Sequence, residues 1–146
     1  MSAAAVTVRD ATLADVGTVA PLLGELGYPV DGETLAGRMR RMLTRDDQRI
    51  LIAGNETGAL GLLALHVFPA LAYDGNVALI MALVVTAQAR GLGVGRALID
   101  RADAVARSLD ATRLLVTTHV RRTDAHAFYE RLGFEFTGRR YVRPLF

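Results

Sequence analysis

Two hydrophobic rhythms alternate along the chain. Val6-Thr7-Val8-Arg9 alternates apolar and polar positions, the mark of a short strand. From Val16 the spacing lengthens: Val16, Val19, Ala20, Leu23 and Leu26 share one helix face. Asp15 stands where it would cap that helix, and Gly27-Tyr28-Pro29 ends it. A second helix is predicted from Asp31 to Thr34 onward, with Leu35, Met39, Met42 and Leu43 on its apolar face and Arg38, Arg40, Arg41 and Arg45 on the other. Strand patterns then return at Arg49 to Ala53, at Leu60 to Phe68 after a Gly54–Gly58 turn, and at Asn76 to Val85 after Pro69 to Gly75. Val94, Ala97, Leu98, Ala102, Val105 and Leu109 restore helical spacing. Arg113 to His119 reads as a fifth strand. Asp124 to Leu132 reads as a short helix, with Ala125, Phe128, Tyr129 and Leu132 in register and Gly133 as its left-handed cap. Phe134 to Phe136 and Arg140 to Leu145 are expected as the last strands. The order β-α-α-β-β-β-α-β-α-β-β predicts a mixed α/β fold with an antiparallel front half, a single domain over residues 1–146.

Composition narrows the class without changing the fold. With 146 residues, half of them apolar, the chain is long enough to bury a real core. It has no cysteine, which excludes a disulfide framework, a thiolate metal site and a cysteine nucleophile; no metal is expected. Met1 to Val6 is too short and too weakly apolar for a signal peptide, and no run of about 18 apolar residues escapes turn signals. A cytoplasmic protein with no membrane partner is expected. A formal net charge of +2 is too small to argue for nucleic acid. All seventeen basic residues are arginine. Guanidinium suits phosphate recognition, although so uniform a bias also fits genome composition.

The chemistry concentrates in Leu83 to Leu98, where an apolar strand breaks into Arg90-Gly91-Leu92-Gly93-Val94-Gly95-Arg96 and runs into a helix. Such a junction offers bare N–H groups and the positive end of a helix dipole to an anion. A dinucleotide fingerprint fails there: counted from Gly91 its last position is Arg96, and counted from Gly93 it is Leu98. The acidic residue that would hold a ribose is also missing, since Thr117, Thr118 and His119 stand at the end of the next strand. A Walker A loop needs lysine, and the chain has none.

What remains, Arg90-x-x-Gly93-x-Gly95 after Leu83-x-Val85, resembles the acetyl-CoA-binding motif of the GNAT N-acetyltransferases. Downstream, Asp124-Ala125-His126-Ala127-Phe128-Tyr129-Glu130-Arg131-Leu132-Gly133-Phe134 is similar to the second signature of that family. The resemblance covers nearly the whole chain. It implies a GNAT-like acyl-CoA N-acyltransferase fold, with a central mixed, mostly antiparallel sheet of six to seven strands flanked by about four helices. It also implies acetyl-CoA as acetyl donor, with its pyrophosphate on the N–H groups of Gly91, Leu92, Gly93, Val94, Gly95 and Arg96, charge from Arg90 and Arg96, and the pantetheine arm along Leu83, Val84 and Val85. Phe128 and Arg131 are further candidate cofactor contacts. The departure is Arg122, where relatives often carry Asn; Thr123 or Asp124 is then left to cap the helix.

The implied reaction is attack of an amine on the acetyl thioester, with no nucleic acid or membrane involved. An alkyl amine, pKa near ~10, must lose a proton before or during attack, and the departing thiolate needs an acid. Tyr129 occupies the position at which many relatives keep a tyrosine for that acid, although the stripe Ala125, Phe128, Tyr129, Leu132 also suits core packing. No Asp, Glu or His lies in Val77 to Val85, so the base is open between His119, His126, His66, the Tyr73-Asp74 loop and a water relay. Leu71 and the apolar residues of the last expected strand offer a homodimer contact. The alternative reading is a non-catalytic acetyl-CoA-binding or sensing domain of the same fold.

Overall fold

A computed structural model of the protein describes residues 5–117, 123–138 and 140–145. Strand β1 (Thr7–Asp10) is followed by helices α1 (Val16–Leu26) and α2 (Gly32–Leu43). The strands β2 (Gln48–Asn55), β3 (Gly58–Pro69) and β4 (Asn76–Val85) come next, then α3 (Val94–Ser108), β5 (Ala111–Val116) and α4 (Thr123–Arg131). The chain divides into two compact units, Met1–Leu115 and Val116–Phe146.

The five strands form one sheet in the order β1-β2-β3-β4-β5. β1 to β4 are joined antiparallel, as the short turns between β2, β3 and β4 require. β5 arrives through the α3 crossover, and its start lies beside the start of β4. There the Asn76 N–H donates to the Asp110 carbonyl at 2.8 Å and the Asn76 amide to the Leu109 carbonyl at 2.8 Å. The sheet is therefore mixed. One face carries α1 and α2: Val19, Leu22, Leu35 and Met39 pack on Ile50, Ile52, Leu62 and Val84. The other face carries α3, whose Val94, Leu98, Ala102 and Val105 are buried. With both faces covered, β2 to β4 read as nearly continuous apolar runs.

The structure departs from the sequence reading in three places. Residues 134–138 and 140–145 carry no strand, so the described residues hold five strands instead of the expected six to seven. A strand needs a laddered neighbour, and Phe136, Tyr141, Val142 and Leu145 are exposed. Asp15 does not cap α1. A single 3₁₀ turn, Leu13–Asp15, intervenes; Thr12 caps it, and Asp15 reaches back to the Thr12 N–H in a reciprocal capping box. Leu22, absent from the expected stripe, is buried because α1 lies against both the sheet and α2. α2 begins where expected, and Asp31 caps it, accepting from the Thr34 N–H at 2.7 Å. Among the described residues, no helix is long and apolar enough to cross a membrane.

Candidate active site

Beyond Val85 the chain makes a tight descent into α3. The Thr86 N–H donates to the Leu60 carbonyl of β3 at 2.9 Å, and a 3₁₀ turn, Ala87–Ala89, is closed by the Ala89 N–H on the Thr86 carbonyl at 3.0 Å. Gly91 (φ 85°) and Gly93 (φ 81°) both sit in the left-handed region, which a side chain would make costly. A Cβ at either position would meet no protein atom within 4 Å, so backbone conformation selects glycine there and the space beside both stays open. The first bond inside α3 runs from the Ala97 N–H to the Gly93 carbonyl at 3.0 Å. The N–H groups of Val94, Gly95 and Arg96 precede it, and no side chain caps the helix. Arg90 and Arg96 are exposed beside them, and neither makes an ion pair among the described residues. The result is a positively biased, glycine-lined helix start suited to a pyrophosphate. Gly95 differs from its loop neighbours, being buried in the first turn of α3.

The strand feeding this loop turns alternate peptide groups to its two edges. Because the Thr86 N–H points to β3, alternation along the strand directs Val84 to β3 as well and turns the peptide groups of Leu83 and Val85 to the opposite edge. Val84 is buried in the core under α1 and α2, while Leu83 and Val85 are half-buried. The register between β3 and β4 slips between Ala64 and Leu65, because Ala64 faces Ala82 whereas Leu65 faces Ile80. Met81 is therefore an extra, exposed residue at a bulge. No sequence pattern marked it. Gly61 is a second residue the sequence reading missed: a Cβ there would lie 2.9 Å from Val94 Cγ1 and 3.0 Å from Leu98 Cδ1, so its bareness lets the start of α3 seat on β3. A groove of about 520 Å³ runs beside the end of β4, lined by Thr18, Pro21, Leu22, Glu25, Ala59 and Thr86.

The second unit, Val116–Phe146, holds the other expected site residues. In α4, Tyr129 is half-buried, its ring edge-on to Phe128 at 5.4 Å and to Phe134 at 5.6 Å. Gly133 (φ 89°) closes the helix as predicted: the Phe134 N–H donates to the Tyr129 carbonyl at 3.0 Å and the Gly133 N–H to the Glu130 carbonyl at 3.1 Å. Phe128 and His126 are half-buried, and Arg131 is exposed in the last turn. His119 and Arg122 lie outside the described residues.

Of the other candidate bases, the His66 and Tyr73 side chains have structural partners. His66 Nε2 stands 3.6 Å from Asp47, and its ring lies 5.0 Å from that of Phe68. Tyr73 holds the Arg113 guanidinium 3.8 Å above its ring, and the Asp74 carbonyl accepts from the Thr112 hydroxyl at 2.6 Å, so the loop before β4 is pinned to β5. Among the described residues, no three His, Asp or Glu side chains gather as a metal site would require.

Comparison with known proteins agrees with this geometry. The profile described as the Acetyltransferase (GNAT) family matches residues 22–134, from α1 through the end of α4. The aminoalkylphosphonate N-acetyltransferase of Salmonella typhimurium is 27% identical over 139 residues, which cover 94% of this chain and 90% of that protein. The crystal structure of a transcriptional regulator from Bacillus halodurans matches with a TM-score of 0.87 at 25% identity, over 97% of this chain and 100% of that one. The aminoglycoside N-acetyltransferase AAC(6')-Iy, solved in complex with CoA, shares the fold with a TM-score of 0.87 at 17% identity, over 98% and 96% of the two chains. With its matched span running through the glycine loop and the second signature, this chain belongs to the Acetyltransferase (GNAT) family.

Proposed function

We propose that this chain transfers the acetyl group of acetyl-CoA to a primary amine, by direct attack within a ternary complex. One observation carries the reading: a left-handed Gly91–Gly93 loop delivers the uncapped N–H groups of Val94, Gly95 and Arg96 at the end of a bulged strand. These groups, with Arg90 and Arg96, fit a pyrophosphate, and the outward peptide groups of Leu83 and Val85 fit the amides of a pantetheine arm. When bound, the donor supplies an activated carbonyl and a thiolate leaving group.

In this reading Leu83 and Val85 orient the donor along β4. A backbone N–H close to the Met81 bulge polarises the acetyl oxygen, as preorganised donors do in acyl transfer. The Tyr129 phenol gives its proton to the departing thiolate, and Phe128 and Arg131 line the cofactor. The amine loses its proton to a water relay or to His119. The 27% identity to an aminoalkylphosphonate N-acetyltransferase supports a small amine as acceptor. Thiol release from acetyl-CoA, followed across a panel of amines, tests the proposal: amine-dependent release is expected, and release that no amine accelerates would sink it.

A second reading is a non-catalytic acetyl-CoA sensor. Its support is that β4 offers no Asp, Glu or His, and that a 25% identical structure of the same fold is a transcriptional regulator. Calorimetry separates the two, because a sensor binds acetyl-CoA while every amine leaves thiol release at background.

A further inference from the structure

We propose that the groove walled by Arg38, Arg41 and Arg45 binds the phosphonate or phosphate end of the acceptor amine. α2 buries Leu35 and Met39, and these three arginines follow one another at i, i+3 and i+7 along a neighbouring stripe that ends just past the helix. Together with Met42, Thr44 and Gln48 they line a groove of about 600 Å³. Arg45 is held by Asp47, through Nε at 2.9 Å and a terminal nitrogen at 2.7 Å. Arg38 and Arg41 make no ion pair among the described residues, so the groove keeps two uncompensated guanidinium groups. The Thr44 hydroxyl donates to the Arg41 carbonyl at 3.0 Å, leaving the Gln48 amide as the neutral donor of the groove. The dipole of α2 favours cations at this end, but it would do so for any exposed face. Arg40 answers it from outside the groove. What the dipole does not explain is that three arginines line one concavity, two of them without an ion pair among the described residues. Their planar forks match the oxygens of a phosphonate or phosphate.

The groove's place in the sheet ties it to the acceptor. Gln48 has the parity of Ile50 and Ile52, so it faces the α1 and α2 side. It pairs with His66, which pairs with Leu79, two residues from the Met81 bulge and far along β4 from the glycine loop. Two strand spacings separate the Gln48 and β4 backbones, roughly 10 Å. Arginine side chains from α2 shorten that gap for an anion whose amine points to the bulge. The assignment to the acceptor rests on the acetyl-transfer reading, whereas the anion site itself does not.

The test uses the whole chain and the double variant Arg38→Gln/Arg41→Gln, with Arg40→Gln as a charge control and thermal melts to verify folding. The acceptors are 2-aminoethylphosphonate and butylamine, and inorganic phosphate is titrated by calorimetry. The double variant is expected to lower the kcat/KM ratio of phosphonate amine over butylamine by about tenfold or more, mainly through KM. Arg40→Gln is expected to leave that ratio in place. Phosphate should bind the unaltered protein, compete with 2-aminoethylphosphonate, and lose its binding in the double variant. Phosphate that binds in an arginine-dependent way without competing would make the groove a free-phosphate site and overturn the acceptor assignment. Absent binding, or equal binding in the double variant, overturns the site altogether. If no amine is acetylated, the catalytic reading fails, while the phosphate titration still decides the groove.

Discussion

At the scale of single residues, three positions carry distinct physical loads. Asp15 is buried to 8% exposure, and its carboxyl is pulled down to about 2, first by the Arg9 hydrogen bonds at 2.7 and 2.9 Å and then by the Thr12 N–H. A depressed carboxyl stabilises the fold fully above its ordinary range near 4, and that contribution is lost as pH falls through about 2. Because Arg9 is largely exposed, Asp15→Asn is expected to cost roughly 1–2 kcal/mol at neutral pH and to flatten the acid limb of stability below pH ~4, as read by urea melts. Gly93→Glu is expected to abolish acetyl-CoA binding, because a carboxylate would stand at the pyrophosphate position and the left-handed backbone would be strained; unchanged calorimetric affinity would remove the loop from the site. Tyr129→Phe keeps the ring contacts with Phe128 and Phe134 and deletes only the hydroxyl. Turnover should therefore fall by about 10- to 100-fold, with acetyl-CoA affinity little changed. Equal turnover would return Tyr129 to packing alone.

At the scale of elements, the site depends on how α3 meets the sheet. Gly61 lies under the first turn of α3, within 3.0 Å of Val94 and Leu98 at the Cβ position and 3.0 Å from the Val84 carbonyl. Gly61→Ala must push that helix start outward, and overpacking of this kind costs about 1–3 kcal/mol. The same shift would misplace the N–H groups of Val94 to Arg96, so acetyl-CoA affinity should fall with stability. A variant that loses stability but binds acetyl-CoA normally would separate the helix seat from the loop. The Met81 bulge belongs to this scale too. It re-aims one residue of β4 without any change in the apolar pattern of the strand, which runs Val77 to Val85 with hardly a polar interruption.

At the scale of the whole molecule, ligand binding and stability are linked. A donor that binds only the folded chain adds about 2.7 kcal/mol at a hundredfold excess over its Kd. For a chain of this length that corresponds to a Tm rise of about 5–10 °C with acetyl-CoA, and acetylpantetheine, which lacks the pyrophosphate, should give much less. A thermal shift equal for both ligands would remove the helix start as the principal anchor. With α1 and α2 on one face and α3 on the other, the proposed reading puts the meeting of ligand and backbone at the carboxyl end of β4, in keeping with the position of ligands in α/β sheets generally.

Much of this was legible in the chain itself, because local chemistry has local signatures. The strand at Asn76–Val85, the start of α2 near Asp31, the left-handed Gly133 and the glycine run before α3 follow from spacing and backbone freedom within a few residues. The family follows from Arg90-x-x-Gly93-x-Gly95 and the Phe128-Tyr129 signature for the same reason. Tertiary structure decided what depends on partners distant in sequence. Asp15 became an ion-pair partner of Arg9 instead of a helix cap, Gly61 became a seat for α3, and Met81 became a bulge only against the register of β3. The face of Arg38, Arg40, Arg41 and Arg45 reads in sequence either as a solvated helix face or as one that draws in an acidic substrate, and only the start of β2 beside it makes a groove. Periodicity reports which face of an element is apolar; it carries no record of what another element brings to the polar one.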